Sequence, residues 1–246
     1  MEKKFDKKIY AIVLIGVVFS LGLILFGKDF NEKIKNDIKP KKETDEIKFK
    51  KEYEDLNGKE KENGNGNYSI LEISKNNKMK YSSEKEILEL LENGTGVIYF
   101  GFPECPWCRN LVTELISVAQ NENLEQIYYL NALSIRDIKK LDDDGNVITE
   151  KEGTKNYYKI VSILEEHLGV YEGLNDESIK RLYFPTVVFI KDGKIINVHI
   201  GTVDSHEDGN KKLTKKQKDE LHEVLTKSVV DTYSEMCEEE KAEVGC

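Results

Sequence analysis

Five alternating segments between residues 68 and 132, ordered strand, helix, strand, helix, strand, predict an α/β fold built as a three-layer sandwich. A hairpin over Thr186 to Thr202 adds antiparallel strands to that parallel set, so the predicted sheet is mixed. A third observation adds an N-terminal transmembrane helix: Ile9 to Phe26 is a run of 18 residues without a charge.

At 1.5 Å per residue that run spans about 27 Å, close to the hydrocarbon thickness of a bilayer. Only Ser20-Leu21-Gly22 resembles a small-x-small cleavage site, and four more apolar residues follow it, so an uncleaved anchor over residues 9–27 is expected. Lysines flank the run on both sides, and the positive-inside count therefore does not orient it. A cytoplasmic tail over 1–8 and an extracytoplasmic C-terminal domain follow from the architecture and from what the cysteines are suited to do. Residues 28–67 are charged, poor in apolar side chains, and end in Asn-Gly-rich sequence, which reads as a linker or stalk. Within it Phe49, Tyr53 and Leu56 recur at helical spacing, so a short docked helix and a solvated linker both fit.

The folded domain is expected over 68–236. Its first strand is "YSILEIS", Tyr68 to Ser74. Ser83 with Glu86 forms a capping box, Ile87, Leu88, Leu90 and Leu91 supply an apolar stripe, and Asn93-Gly94 closes that helix. "GVIYFGF" is continuously apolar, as a central strand buried on both faces requires. Pro106 opens the next helix, with Leu111, Val112, Leu115, Val118 and Ala119 on one side, and Gln126 to Ala132 forms the third strand. Residues of about 133–183 exceed what this alternation needs. They are expected as a helical insertion over one edge of the sheet, with a polar turn at "LDDDGN", a helix from Thr154 to Leu168, and a second short helix ending at "IKRLYF". An Asp192-Gly193 turn joins the hairpin strands, and Thr214 with Gln217 caps a last helix carrying Leu221, Val224, Leu225, Ser228, Val229 and Thr232.

A net charge of -9 argues against a nucleic-acid partner, which needs a basic face to neutralise phosphates. Asp142, Asp144 and Asn146 imitate the start of a calcium loop, but Val147 stands at the glycine position and Gly153 at the twelfth, so a surface turn is expected. Zinc needs four ligands, and neither the four histidines nor Cys237 and Cys246 supply a second close pair. No metal and no organic cofactor are expected.

The remaining feature is "FGFPECPWCRN", Phe100 to Asn110. A bridge between Cys105 and Cys108 closes a very small loop and removes little chain entropy, so it is a poor staple. It suits redox chemistry better. Cys105 at a helix N-terminus faces unsatisfied N–H groups that favour thiolate, which makes it the nucleophile. Cys108, one turn on, is placed to attack a mixed disulfide on Cys105 and release the partner. Pro106 stiffens the turn, and Trp107, the only tryptophan, either lines the exposed surface beside Cys105 or packs in the core. Glu104 should raise the pKa of Cys105 and Arg109 should lower it.

A strand, a Cys-x-x-Cys at a helix start, and a later "FPT" before a β-hairpin resemble the thioredoxin superfamily. The run "GVIYFGFPECPWCRN" is similar to the thioredoxin-like bacteriocin accessory proteins, and Pro-Trp between the cysteines also resembles the Pro-Tyr of glutaredoxins. The resemblance implies a thioredoxin-like sandwich and a cis Pro185 against Cys105 and Cys108, with the backbone of Phe184 pairing with an extended substrate. The chain departs from the family in two places. Thioredoxins carry Trp before the first cysteine, where this chain has Glu104, and a buried proton-accepting acid six residues before it, where this chain has Tyr99. Glu104 is then either a replacement for that acid or a surface charge.

The expected activity is membrane-tethered, extracytoplasmic thiol-disulfide exchange on cysteine-containing secreted proteins or peptides. The bilayer holds residues 9–27, and a membrane redox partner supplies or takes electrons. Cys237 and Cys246 either form a small disulfide that pins the C-terminus or act as an accessory thiol pair. The competing class is a non-enzymatic binding or chaperone module of the same fold, with the insertion as its partner surface.

Overall fold

Ser83 begins the second helix as the sequence leads one to expect: its hydroxyl accepts from the Glu86 N–H, and the Glu86 carboxylate accepts from the Ser83 N–H. The same reciprocal cap, Thr214 with Gln217, starts the last helix. In the computed structural model, which describes residues 43–234 apart from 63 and 65, the elements run in order α1 (Asp45–Glu54), β1 (Met79–Tyr81), α2 (Glu84–Asn93), β2 (Gly96–Phe100), α3 (Pro106–Asn121), β3 (Ile127–Leu130), β4 (Ile138–Leu141), β5 (Val147–Lys151), α4 (Lys155–Leu164), β6 (Thr186–Lys191), β7 (Lys194–Ile200) and α5 (Lys215–Tyr233). Among the described residues no helix is long and apolar enough to cross a membrane. The expected tail over 1–8, the anchor over 9–27 and the start of the linker lie outside the described residues.

The fold is α/β with a five-stranded mixed sheet in the order β1-β3-β2-β6-β7. β1, β3 and β2 run parallel; β6 and β7 are antiparallel to their neighbours. β2 lies at the centre and is buried along its whole length. Its side chains alternate between two separate apolar clusters, Val97 and Tyr99 on one face, Ile98 and Phe100 on the other. The first face is covered by α1, α3 and α5 through Phe49, Tyr53, Leu111, Leu115, Leu221 and Leu225. The second is covered by α2 and α4 through Ile87, Leu91, Tyr157, Ile160 and Leu164. Asp192 and Gly193 both take positive φ, 50° and 72°, the geometry a two-residue hairpin turn between twisted strands requires.

Three expectations are corrected. The stalk does not extend to residue 67, because α1 packs Phe49 and Tyr53 into the core with no exposed surface. Apart from an exposed Ile47 the rest of the helix is charged, so two aromatics carry its docking; Phe49 stacks on Tyr53 at 4.5 Å and meets Tyr129 edge-on at 4.8 Å. Tyr68 to Ser74 is not a strand, since its backbone groups are taken by side chains: Leu71 exchanges bonds with Asn57, the Ile73 N–H goes to Glu54, and the Ile73 carbonyl goes to Lys50. The edge strand is β1 instead, in register Met79 with Ile127.

The stretch 133–183 is also more integral than expected. α4 is the crossover that buries the second face, not a layer over an edge. The acidic turn closes a separate antiparallel pair, β4 with β5, and the Asp142 carboxylate accepts from the N–H groups of Asp144 and Asn146. No helix ends at Tyr183–Phe184: after α4 only a 3-10 turn, Glu165–His167, follows, and a bridge between Val170 and Lys180 holds the later segment.

Candidate active site

The first turn of α3 sets the geometry. Cys105 is its N-cap with extended backbone, Pro106 occupies the first turn, where no N–H is needed, and the Cys105 sulfur accepts from the Cys108 N–H at 3.1 Å. Both cysteines are free thiols; Cys108 is fully enclosed and Cys105 keeps 5% of its surface. The Phe184–Pro185 peptide is cis, and the Phe184 carbonyl oxygen lies 3.7 Å from the Cys105 sulfur. Pro185 stands at the start of β6, whose Thr186 pairs with Phe100 at the end of β2. Thus Cys105, Pro106, Cys108, Phe184 and Pro185 are brought to one end of the sheet.

The two sulfurs have opposite electrostatics. Cys105 is held below the ordinary thiol range, first by its bond from the Cys108 thiol, then, against the upward pull of burial, by the N–H groups of Cys108 and Trp107 and the Arg136 guanidinium. Burial pushes Cys108 well above that range, and its bond to Cys105 and the charge of Cys105 push the same way. The Tyr99 side chain, on the Cys108 side of the sheet, pulls against this rise. Tyr99 lies 2.9 Å, hydroxyl to hydroxyl, from Tyr53, and both are fully buried.

Glu104 is exposed, and the side chain that reaches Cys108 is Tyr99. Arg109 does not serve Cys105. It is a buried clamp, donating to the carbonyls of Tyr53, Pro103 and Ser69 and to Asn57 Oδ1, and it fastens α1 and its following loop to α3. The cation that lowers the Cys105 pKa is Arg136, from the turn after β3.

Trp107 is half-buried at the rim rather than in either apolar cluster. Its ring meets His206 edge-on at 5.0 Å. His206 is itself fixed: Nε2 donates to the Lys211 carbonyl at 3.0 Å, so Nδ1 accepts from the Thr202 hydroxyl at 2.8 Å. Gly209 permits this approach, since a Cβ there would lie 2.9 Å from the indole. Asn110 secures the same loop, donating to the carbonyls of Gly209 and Lys211. Trp107, Phe184, Tyr183, Val170 and Ile200 line an open groove of about 460 Å³ beside Cys105.

Sequence reasoning found Tyr53 only as a packing residue of a possible helix and missed Arg136 and His206. The partner of the Tyr53 hydroxyl and the surroundings of a lone arginine carry no spacing signal, because they are distant in the chain. Cys237 and Cys246 lie outside the described residues; the described chain ends at Ser234, whose carbonyl accepts from Lys191 at the far end of β6. No protein-family model matches the chain, and no curated protein matches it.

Proposed function

We propose that this chain is a thiol-disulfide oxidoreductase with a thioredoxin-like sandwich, tethered by residues 9–27 to the cell membrane and acting outside it on cysteines of secreted proteins or peptides. The observation that carries the reading is the Cys105 sulfur at the tip of α3, bonded by the Cys108 N–H and facing the Phe184 carbonyl. A structural thiol has no need of a depressed pKa or a position at the surface rim. A nucleophile needs both.

In the reducing direction the Cys105 thiolate attacks one sulfur of a substrate disulfide. A Cys105–substrate disulfide forms and the other substrate sulfur leaves as thiolate. The Cys108 thiol then loses its proton and attacks the Cys105 sulfur, which forms the Cys105–Cys108 disulfide and releases the second substrate thiolate. Two electrons pass to the substrate, and the two thiolates take up two protons. In the oxidising direction the same steps run backwards, and a membrane redox partner restores the starting state. Tyr99 supports the second attack by opposing the rise of the Cys108 pKa as charge develops there.

Insulin-disulfide reduction and refolding of a scrambled disulfide protein, both with the full-length chain, test the reading. Cys105→Ser is expected to remove all exchange, and Cys108→Ser to accumulate a mixed disulfide with substrate. Activity unchanged in both variants would overturn the enzyme reading in favour of a binding module. The reduction potential of the pair, against a range of about -270 to -120 mV for such centres, sorts reductant from oxidant.

A further inference from the structure

Only three of the 37 basic residues are arginine, Arg109, Arg136 and Arg181, and all three stand around the cysteine pair or its groove. Arg109 donates four hydrogen bonds to protein acceptors, although its Nε, like that of Arg181, has none. The other two lack such a set of bonds. The Arg136 guanidinium lies over the Phe184 ring, 5.0 Å from its centroid. Arg181 lies over Tyr171 at 4.2 Å and Tyr183 at 5.6 Å, and its Nε is enclosed without an acceptor. Among the described residues neither arginine is in an ion pair. The carboxylate next to Arg136, Asp137, pairs instead with Lys139 at 3.6 Å.

Phe184 and Tyr183, the rings under these two cations, are also wall residues of the groove beside Cys105. The wall includes one acidic residue, Glu172, whose N–H donates to the Tyr183 hydroxyl. Two half-buried guanidiniums repel each other, and the one carboxylate beside them, Asp137, acts on Arg136 without forming an ion pair with it, so the pair is short of an anion. A guanidinium held over an aromatic ring keeps N–H groups for an acceptor, and its planar fork suits a carboxylate rather than a diffuse counter-ion. Everywhere else on this surface the cation is lysine, the more strongly hydrated and less directional choice.

We propose that Arg136 and Arg181 recognise a substrate peptide with acidic side chains beside the cysteine that Cys105 engages, its apolar neighbours lying in the groove along Trp107, Val170 and Ile200. This rests on the thiol-exchange reading and names the substrate chemistry of the same site. The substrate is a peptide with Glu or Asp within about two residues of its cysteine.

The test uses the reduced full-length chain and three synthetic peptides, identical except for Glu, Gln or Lys on both sides of a single cysteine. Each peptide is supplied as its mixed disulfide with thionitrobenzoate. Attack of the Cys105 thiolate on the peptide sulfur forms the Cys105–peptide disulfide and expels thionitrobenzoate, whose absorbance gives the rate. At low salt the Glu peptide is expected to react about tenfold faster than the Gln peptide and the Lys peptide slowest. That ratio should fall in Arg136→Met and in Arg181→Met and approach one in the double variant. Arg181→Glu, at a half-exposed position, should invert the order of the Glu and Lys peptides, and it keeps the test available if the double variant does not fold. A ratio of one in the unaltered protein, or a ratio that survives in both the double variant and Arg181→Glu, overturns the proposal while leaving thiol exchange intact. Absence of release from every peptide overturns thiol exchange itself, and the substrate assignment falls with it.

Discussion

Cys105 and Cys108 are one helical turn apart, yet their surroundings shift their pKa values in opposite directions. Around Cys105 stand backbone N–H groups, the Phe184 carbonyl, a guanidinium and the rim of a groove. Around Cys108 stand two buried tyrosines and the apolar face covered by α1 and α3. The difference teaches that the opposite pKa shifts of the two sulfurs are set by which layer each one meets, since the helix alone places both on one side.

The largest expected effect breaks the comparison outright. Serine at 105 should lower exchange by at least about a thousandfold, because among the described residues no other thiol lies at the rim, whereas serine at 108 should leave the first attack and block release. Non-reducing electrophoresis after mixing with substrate reads both outcomes. Next in size is the interior side. Phe49→Ala removes a fully buried ring and should cost about 3–5 kcal/mol of stability, read by urea unfolding, and loosen the Tyr53–Tyr99 pair that faces Cys108.

Tyr99→Phe tests the Cys108 side more finely. Loss of the Tyr99 hydroxyl, which pairs with Tyr53 and opposes the rise of the Cys108 pKa, should slow release of the mixed disulfide about tenfold and leave the first attack unchanged in stopped-flow experiments.

The pH dependence separates the two thiols by sign. Cys105, with its folded pKa depressed, contributes stability that is present above the unfolded thiol pKa and is lost as pH falls through the folded value. Cys108, with its pKa raised, contributes stability that is present below the unfolded pKa and is lost as pH rises above it. Unfolding of the reduced protein across pH 6 to 10 should therefore show that Cys105→Ser removes a rise with pH and Cys108→Ser removes a fall. Equal slopes in the two variants would contradict the assignment. The smallest effect is at the rim: Gly209→Ala should displace the indole of the sole tryptophan, shift its fluorescence, and alter substrate affinity with little change in stability.

These outcomes depend unequally on features legible in the chain. The capping boxes, the Asp-Gly hairpin, the buried β2 and the cysteine turn are local patterns, set by neighbours within four residues, and each was readable. α1 was ambiguous because only two of its ten residues are fully buried, and their partners Tyr99 and Tyr129 lie more than forty residues away. The misread strand at 68–74 has strand-like alternation, yet side chains from α1, the loop after it and α3 reached its backbone first.

By itself the sequence determined the place of Cys105 at a helix start, the succession of strands and helices, and the proline ahead of the hairpin, because each rests on short-range chemistry of backbone and turn. Only the tertiary structure decided that a tyrosine pair meets the buried sulfur, that Arg136 rather than Arg109 faces the outer one, and that α1 and α4 close opposite faces of the sheet. Those facts arise from contacts between segments far apart in the chain, where packing and desolvation select partners that no spacing encodes.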